Sequence, residues 1–492
     1  MRRSLTPVLL GITIGFASVL AFLWLSDLVL GRVLVLVLAL GATMLGGILV
    51  RPERRMPLIA DPFLLCCAFL AQFYIVGPIM MGLWGLSQIV FFRAPTIDEA
   101  VGPLLGCLLL VAAAIVGYRW QVGVLIANAL PEFGPAPRKF PRGWIITAIV
   151  TAGAIGCFWW LEFQGGLMTK LGIGYGGGRY GAAFTIFFDL LILGIILWAW
   201  QLLDSPSRTR LQVVSFATVL GGAVVFFGII YGARKYLFFL FFGLLVATTL
   251  RRGVKSLPKL KLAAGMSILI VFFGVWGAIR ATPVAALLGI GDATPAVQNR
   301  DVRQGYSSGL ADPFGAAVLV WQVFPDQEPF RHGQTLLVTV LGFIPRAVWP
   351  DKPVGIGKDL TRYYVGPFYE PVQGFSVTIT LPADLYVNFG WIGVGIGGLI
   401  LGLISRVVVS YACRGMTNGI QTRAARVLLP TLFVIGLGEV RADMSQMLAF
   451  YIMTGVPLVT ILSMFRMDGK ATDTIADTAP EPAASGTSPS PA

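Results

Sequence analysis

Charge is what this sequence most lacks. Asp, Glu, Lys and Arg supply 12% of its 492 residues, against about a quarter in soluble domains, and that deficit excludes a water-soluble surface around a chain of this length. Histidine is almost missing: His332 stands alone, so a multi-histidine metal centre is excluded. The five cysteines, Cys66, Cys67, Cys107, Cys157 and Cys413, fall in apolar runs or in one expected cytoplasmic connection. They supply neither a disulfide framework nor a metal-ligand spacing. Absent too are a GxxxxGK[ST] phosphate loop, an HExxH helix and a DxD-like acidic pair on a cytoplasmic connection. These gaps argue against an ATP-driven pump and against a synthase drawing on nucleotide sugars from inside.

Hydrophobic length takes the place of charge. Apolar residues make up 56% of the chain, and runs of about 20 residues, enough for a helix to cross the hydrocarbon core, recur throughout. Twelve spans are expected: Thr6 to Leu25, Leu28 to Val50, Phe63 to Leu83, Val101 to Tyr118, Trp144 to Leu161, Ala182 to Leu203, Val213 to Tyr231, Tyr236 to Leu250, Leu262 to Ala278, Leu385 to Ile404, Val427 to Val440 and Met447 to Phe465. The first follows Arg2 and Arg3, yet no small-residue cleavage site precedes the next span, so it reads as a retained helix. The fold class is therefore an all-α polytopic membrane protein. Residues 1–278 carry spans one to nine, 279–384 a large, partly helical outer loop, and 385–465 the last three spans. The tail 466–492, made of Ala, Thr, Ser, Pro and acids, cannot bury enough apolar area to offset its ordering entropy and is expected to be disordered.

The net charge of +13 does not point to nucleic acid. Its basic residues gather on alternate connections, around Arg51, Arg54 and Arg55, Arg119 to Arg142, Arg208 and Arg210, Arg251 to Lys261, Arg406 to Arg426, and Arg466 with Lys470. By the positive-inside rule that side is cytoplasmic, and both termini lie there. The outward connections differ in kind. Glu162 to Gly181 is glycine-rich, Gly232-Ala233-Arg234-Lys235 is a short hairpin, and the 279–384 loop is large enough to lie over the bundle as a lid. Within that loop Asp312-Pro313 reads as an N-cap and first helical residue, opening a helix through about Gln322.

Cations on outward segments run against the positive-inside rule and so call for a reason. Arg179, Arg234, Lys235, Arg280, Arg303, Arg346, Lys352 and Arg441 are individually compatible with snorkelling side chains. Together they favour an anionic ligand at the outer leaflet, since a guanidinium fork makes paired, charge-assisted bonds to phosphate oxygens. Among the acids, Asp384 lies one residue before an apolar run and two after Pro382. It serves as an N-cap, as a proton acceptor, or as both. Asp189 sits inside a span, where a carboxylate either faces a cavity or packs in its neutral form. His332 is the reserve base, since an imidazole is a side chain that can accept a proton near neutrality.

The run HGQTLLVTVLGFIPRAVWPDKP, followed by ADLYVNFGWIGVGIGGLILGL and preceded by GGGR and the Gly-Ala-Arg hairpin, resembles the Wzy-type oligosaccharide repeat-unit polymerases of O-antigen and exopolysaccharide synthesis. The resemblance covers about Gly165 to Gly393. Family members usually carry glutamate where this chain has Asp384. It implies a GT-C-like glycosyltransferase of the bacterial inner membrane, with its active site at the periplasmic face. It further implies transfer of a growing glycan from undecaprenyl pyrophosphate to the sugar end of an incoming lipid-linked repeat unit. The expected partners are that lipid-linked oligosaccharide, membrane lipid and a chain-length regulator, with no nucleic acid. No cofactor or metal is expected, because lipid carries the donor and arginines stand in for the metal. The alternatives are an O-antigen ligase-like transfer to another acceptor and a lipid-linked oligosaccharide transporter. A transporter would call for ionisable residues near mid-membrane and internal repeats.

Overall fold

The structure, a computed structural model, describes residues 29–79, 98–130, 142–173, 184–204, 209–231, 234–252, 302–335, 355–360 and 378–414. It also describes single positions at 337, 349, 416, 430, 431, 433, 436, 451 and 455. Every regular element among these residues is helical. Among the described residues, seven helices are long and apolar enough to cross a membrane: Arg32–Leu49, Pro62–Ile79, Val101–Arg119, Gly143–Phe163, Ile186–Leu203, Arg210–Ile230 and Leu381–Cys413. They fall on seven of the expected spans. An eighth expected span, Tyr236 to Leu250, lies within the helix Arg234–Arg252, which carries a basic pair at each end. The spans expected at Thr6 to Leu25 and Leu262 to Ala278, and the tail 466–492, lie outside the described residues, as do most of the last two spans.

The outer surface of these helices is apolar. Leu38 is 63% exposed, Leu49 76%, Val214 61% and Ile392 74%, an arrangement that suits lipid and would be costly in water.

Two helix groups make up the described fold. The first holds α1 (Val29–Leu49), α2 (Pro62–Ala71, prolonged by a π-turn Gln72–Val76), α3 (Val101–Arg119) and the short α4 (Val122–Ala129). The second holds α5 (Arg142–Phe163), α6 (Leu167–Ile173), α7 (Thr185–Asp204), α8 (Arg210–Val225) and α9 (Arg234–Arg252). Later segments complete the first group: α10 (Val302–Val323), the one-turn α11 (Ile356–Asp359) and the long α12 (Leu381–Cys413).

The α3–α12 pair is the spine of the first group. Gly398 and Gly402 on α12 lie against the Leu110 and Ala114 carbonyls of α3, while Gly117 of α3 lies against the Leu399 carbonyl. A Cβ at any of the three would overlap backbone, so these small residues let the two helices touch main chain to main chain, the favoured route to tight packing in lipid. The matched order of the contacts makes the pair parallel. Glycines join α5 to α7 in the same way, where a Cβ on Gly153 would lie 2.7 Å from the Leu191 backbone. That group is closed by an aromatic cluster of Trp160, Phe188, Phe226, Phe227, Tyr231 and Tyr236.

The helix expected to open at Asp312-Pro313 begins earlier. It runs from Val302, with Pro313 in its interior. An interior proline forfeits one backbone bond and costs about 3 kcal/mol. Here Phe314, Ala316, Ala317, Val318, Val320 and Val323 are all buried immediately after it, and their burial offsets the loss.

Candidate functional site

Asp384 lies one turn into α12, fully buried. It is not the helix cap: Thr380 holds that position, and the Asp384 N–H donates to the Thr380 carbonyl at 3.0 Å. Its carboxylate looks sideways, toward a segment that follows α10. Oδ1 accepts from the Thr335 hydroxyl at 3.0 Å and from Asn388 Nδ2 at 2.9 Å. The same amide reaches Thr335 Oγ1 at 2.6 Å and the Asp384 carbonyl at 2.8 Å. Asn388 sits four residues on, so helical spacing alone puts both side chains on one face.

A break in α12 explains how the loop reaches this face. Gly390 has φ 62° and ψ −152°, a conformation that glycine adopts without a Cβ penalty. Carbonyls just before the break accept from outside the helix: Arg331 N–H bonds the Val387 oxygen at 2.9 Å, and His332 N–H the Asn388 oxygen at 3.0 Å. Gly333 N–H completes the set on Asn388 Oδ1 at 3.0 Å. The loop turns sharply to do so, with φ 48° at His332 and 86° at Gly333. A positive φ at a non-glycine residue costs of order 1–3 kcal/mol. Arg331 anchors the segment through Asp359 at 2.7 Å and Glu328 at 3.3 Å, and its side chain is 21% exposed.

The sequence-derived candidates distribute as follows. Asp384 is buried in the network just described, and His332, three residues before Thr335, has an exposed side chain. Lys235 is exposed in the first turn of α9, its ammonium 5.1 Å from the Tyr236 ring centroid. Asp189 is buried on α7, next to Phe188 of the aromatic cluster. Arg234 and Arg303 have described backbone, at the starts of α9 and α10, but not described side chains. Arg179, Arg280, Arg346, Lys352 and Arg441 lie outside the described residues. Asp384 and Lys235 thus belong to different helix groups.

Several residues escaped the sequence reading. Asn388, Thr335 and Arg331 build the surroundings of Asp384. Lys170 on α6 is buried, with its ammonium 5.6 Å from the Trp160 ring centroid, and burial pulls its pKa below the ordinary lysine range. A further cluster closes the opposite end of the first group. Asp61 caps α2, accepting from Phe63 N–H at 3.2 Å and from the Tyr118 hydroxyl at 2.7 Å. Arg51 stands 3.5 Å from the same carboxylate, and Arg406 pairs with Glu53 at 3.6 Å. Burial raises the Asp61 pKa, against the opposing pull of Tyr118 and Arg51.

Asp384 and Arg406 are twenty-two residues apart on α12, roughly 33 Å of helix, close to the thickness of a hydrocarbon core at about 30 Å. The connections grouped on one side by their basic residues, at Arg51, Arg119 and Arg406, do meet at one end of the bundle, and Asp384 is at the other. Among the described residues no three His, Cys, Asp or Glu side chains converge to hold a metal. No family model, curated protein or solved structure matches the chain.

Proposed function

We propose that this chain polymerises undecaprenyl-pyrophosphate-linked oligosaccharide repeat units at the periplasmic face of a bacterial inner membrane. The observation that carries the reading is the Asp384 carboxylate. It is held at fixed orientation on a broken apolar helix, at the end of the bundle opposite the Arg51–Arg406 cluster. A carboxylate so placed accepts the proton of an attacking sugar hydroxyl. The hydroxyl oxygen bonds to the anomeric carbon of the donor glycan, the bond from that carbon to phosphate breaks, and undecaprenyl pyrophosphate leaves with the electron pair. Outward cations, Arg179, Arg234 and Lys235 with Arg280, Arg303, Arg346, Lys352 and Arg441, stabilise the negative charge that builds on the leaving group. The acids around Arg331, namely Glu328 and Asp359, suit sugar hydroxyls better than phosphate, so the acceptor is assigned to the Asp384 side.

The test is transfer by the purified chain, in lipid, supplied with a synthetic undecaprenyl-pyrophosphate repeat unit and a chelator. A ladder of products supports the polymerase reading. Transfer that occurs only when a lipid A core acceptor is added identifies a ligase, and no transfer to either acceptor overturns both.

A further inference from the structure

A fully buried carboxylate cannot meet a substrate hydroxyl until something moves, and the covering element is identifiable. Thr335, 4% exposed, holds Asp384 Oδ1 directly, and Arg331, His332 and Gly333 bind α12 through backbone N–H groups. We propose that Arg331–Thr335 is a lid over Asp384, coupled to the break at Gly390 and clasped shut by the ion pairs of Arg331 with Glu328 and Asp359. The proposal rests on the reading of Asp384 as the group that meets the acceptor.

Two satisfied states exist for the same backbone groups. With the lid down, the Val387 and Asn388 carbonyls accept from Arg331 and His332. With the lid lifted, those carbonyls would be orphaned in an apolar setting, which buried backbone does not tolerate. A return of Gly390 to helical φ and ψ supplies the remedy: the Trp391 and Ile392 N–H groups then reach four residues back and restore the ladder. Glycine is the residue type that passes between the two conformations without a Cβ penalty. Lifting also frees His332 from its left-handed φ of 48°, which brings the two states closer in free energy. The clasp is at the rim of this arrangement. Its side chains are 21–24% exposed, so water and ligand reach them while Asp384 stays covered. Lid and helix break form one two-state element of the kind that gates active sites.

Thiol labelling tests this on the intact chain in lipid, with no donor or acceptor present. Reporters are Thr335→Cys on the underside of the lid and Ala383→Cys beside Asp384, each labelled with a charged, membrane-impermeant maleimide. Exposed Gln327→Cys sets the unhindered rate, and the unsubstituted chain sets the background. Cys66, Cys67, Cys107 and Cys157 are buried, and Cys413, which is half-buried, is replaced by serine throughout to keep that background low. Both reporters should label far more slowly than the control. Combining Glu328→Gln with Asp359→Asn should speed both by about three- to tenfold, in keeping with the modest worth of part-exposed ion pairs. Gly390→Ala, which penalises the broken conformation and whose Cβ would meet the Phe330 ring at 3.2 Å, should do the same. Unchanged rates in both opening backgrounds, or reporters as fast as the control in the clasped chain, overturn the lid. Because no glycan is present, that result leaves the polymerase reading standing, and a failed transfer assay leaves the labelling result intact.

Discussion

The Thr335 hydroxyl and the Asp384 carboxylate are 49 residues apart in sequence and 3.0 Å apart in the core. Asn388 bonds both of them. Three polar side chains therefore satisfy one another in apolar surroundings, where an unmatched group carries its full desolvation cost.

Thr335→Val removes the hydroxyl at constant shape. Asp384 Oδ1 loses one of its donors and Asn388 an acceptor, so stability should fall by about 1–3 kcal/mol. Thr335→Ser should recover most of it. Thermal unfolding of the purified variants in detergent measures both.

Asp384→Asn keeps the volume of the side chain and removes its basicity. Glycan polymer should fall by at least about a hundredfold, the lower range of general-base contributions, while the amount of folded protein in the membrane stays the same. Chain-length distribution on a gel, beside a membrane-fraction blot, reads the two quantities separately.

Gly402→Leu places a side chain where the Ala114 carbonyl already lies. It should separate α3 from α12 and lower stability by about 1–3 kcal/mol or more, the usual range for overpacking. Gly395→Ala, at a position with open space around it, should be tolerated. Melting curves of the two variants form the comparison.

Acidification should act on Asp61 in a definite direction. Burial raises its folded pKa above the unfolded value of 3.8, so its stabilising contribution is complete below that value and is lost as pH rises through the folded pKa. Lowering pH from 7 to 5 should therefore raise its contribution. Asp61→Asn, which keeps an oxygen for the Phe63 N–H and turns its amide NH2 toward the Tyr118 oxygen, should shrink the difference in melting temperature between the two pH values.

The spans were legible because crossing a bilayer requires only apolar length, a property each segment carries by itself. Val101 to Tyr118, expected from hydropathy, meets the helix Val101–Arg119 almost residue for residue. Asp384 was legible because a carboxylate beside an apolar run is conspicuous. The break at Gly390 was not: α12 contains five further glycines, Gly393, Gly395, Gly397, Gly398 and Gly402, and composition does not say which one bends. Asn388 lay in plain view four residues from Asp384, and its helical spacing was the available signal. The Asp61 cluster joins three distant segments, around Arg51 to Phe63, Tyr118 and Arg406, which a reading along the chain keeps apart. One cue was present in Asp61-Pro62, an N-cap followed by proline at the first helical position. Pro313 misled for the converse reason, since downstream burial outweighs a local stop signal.

The backbone-to-backbone seam between α3 and α12 leaves no cushion of side chains to absorb sliding. Beyond Gly390 the two rods are in effect a single keel, fixed to the Asp61 cluster at its far end. On the lid proposal, the return of Gly390 to helical geometry is therefore taken up between Leu381 and Phe389, while the keel holds still.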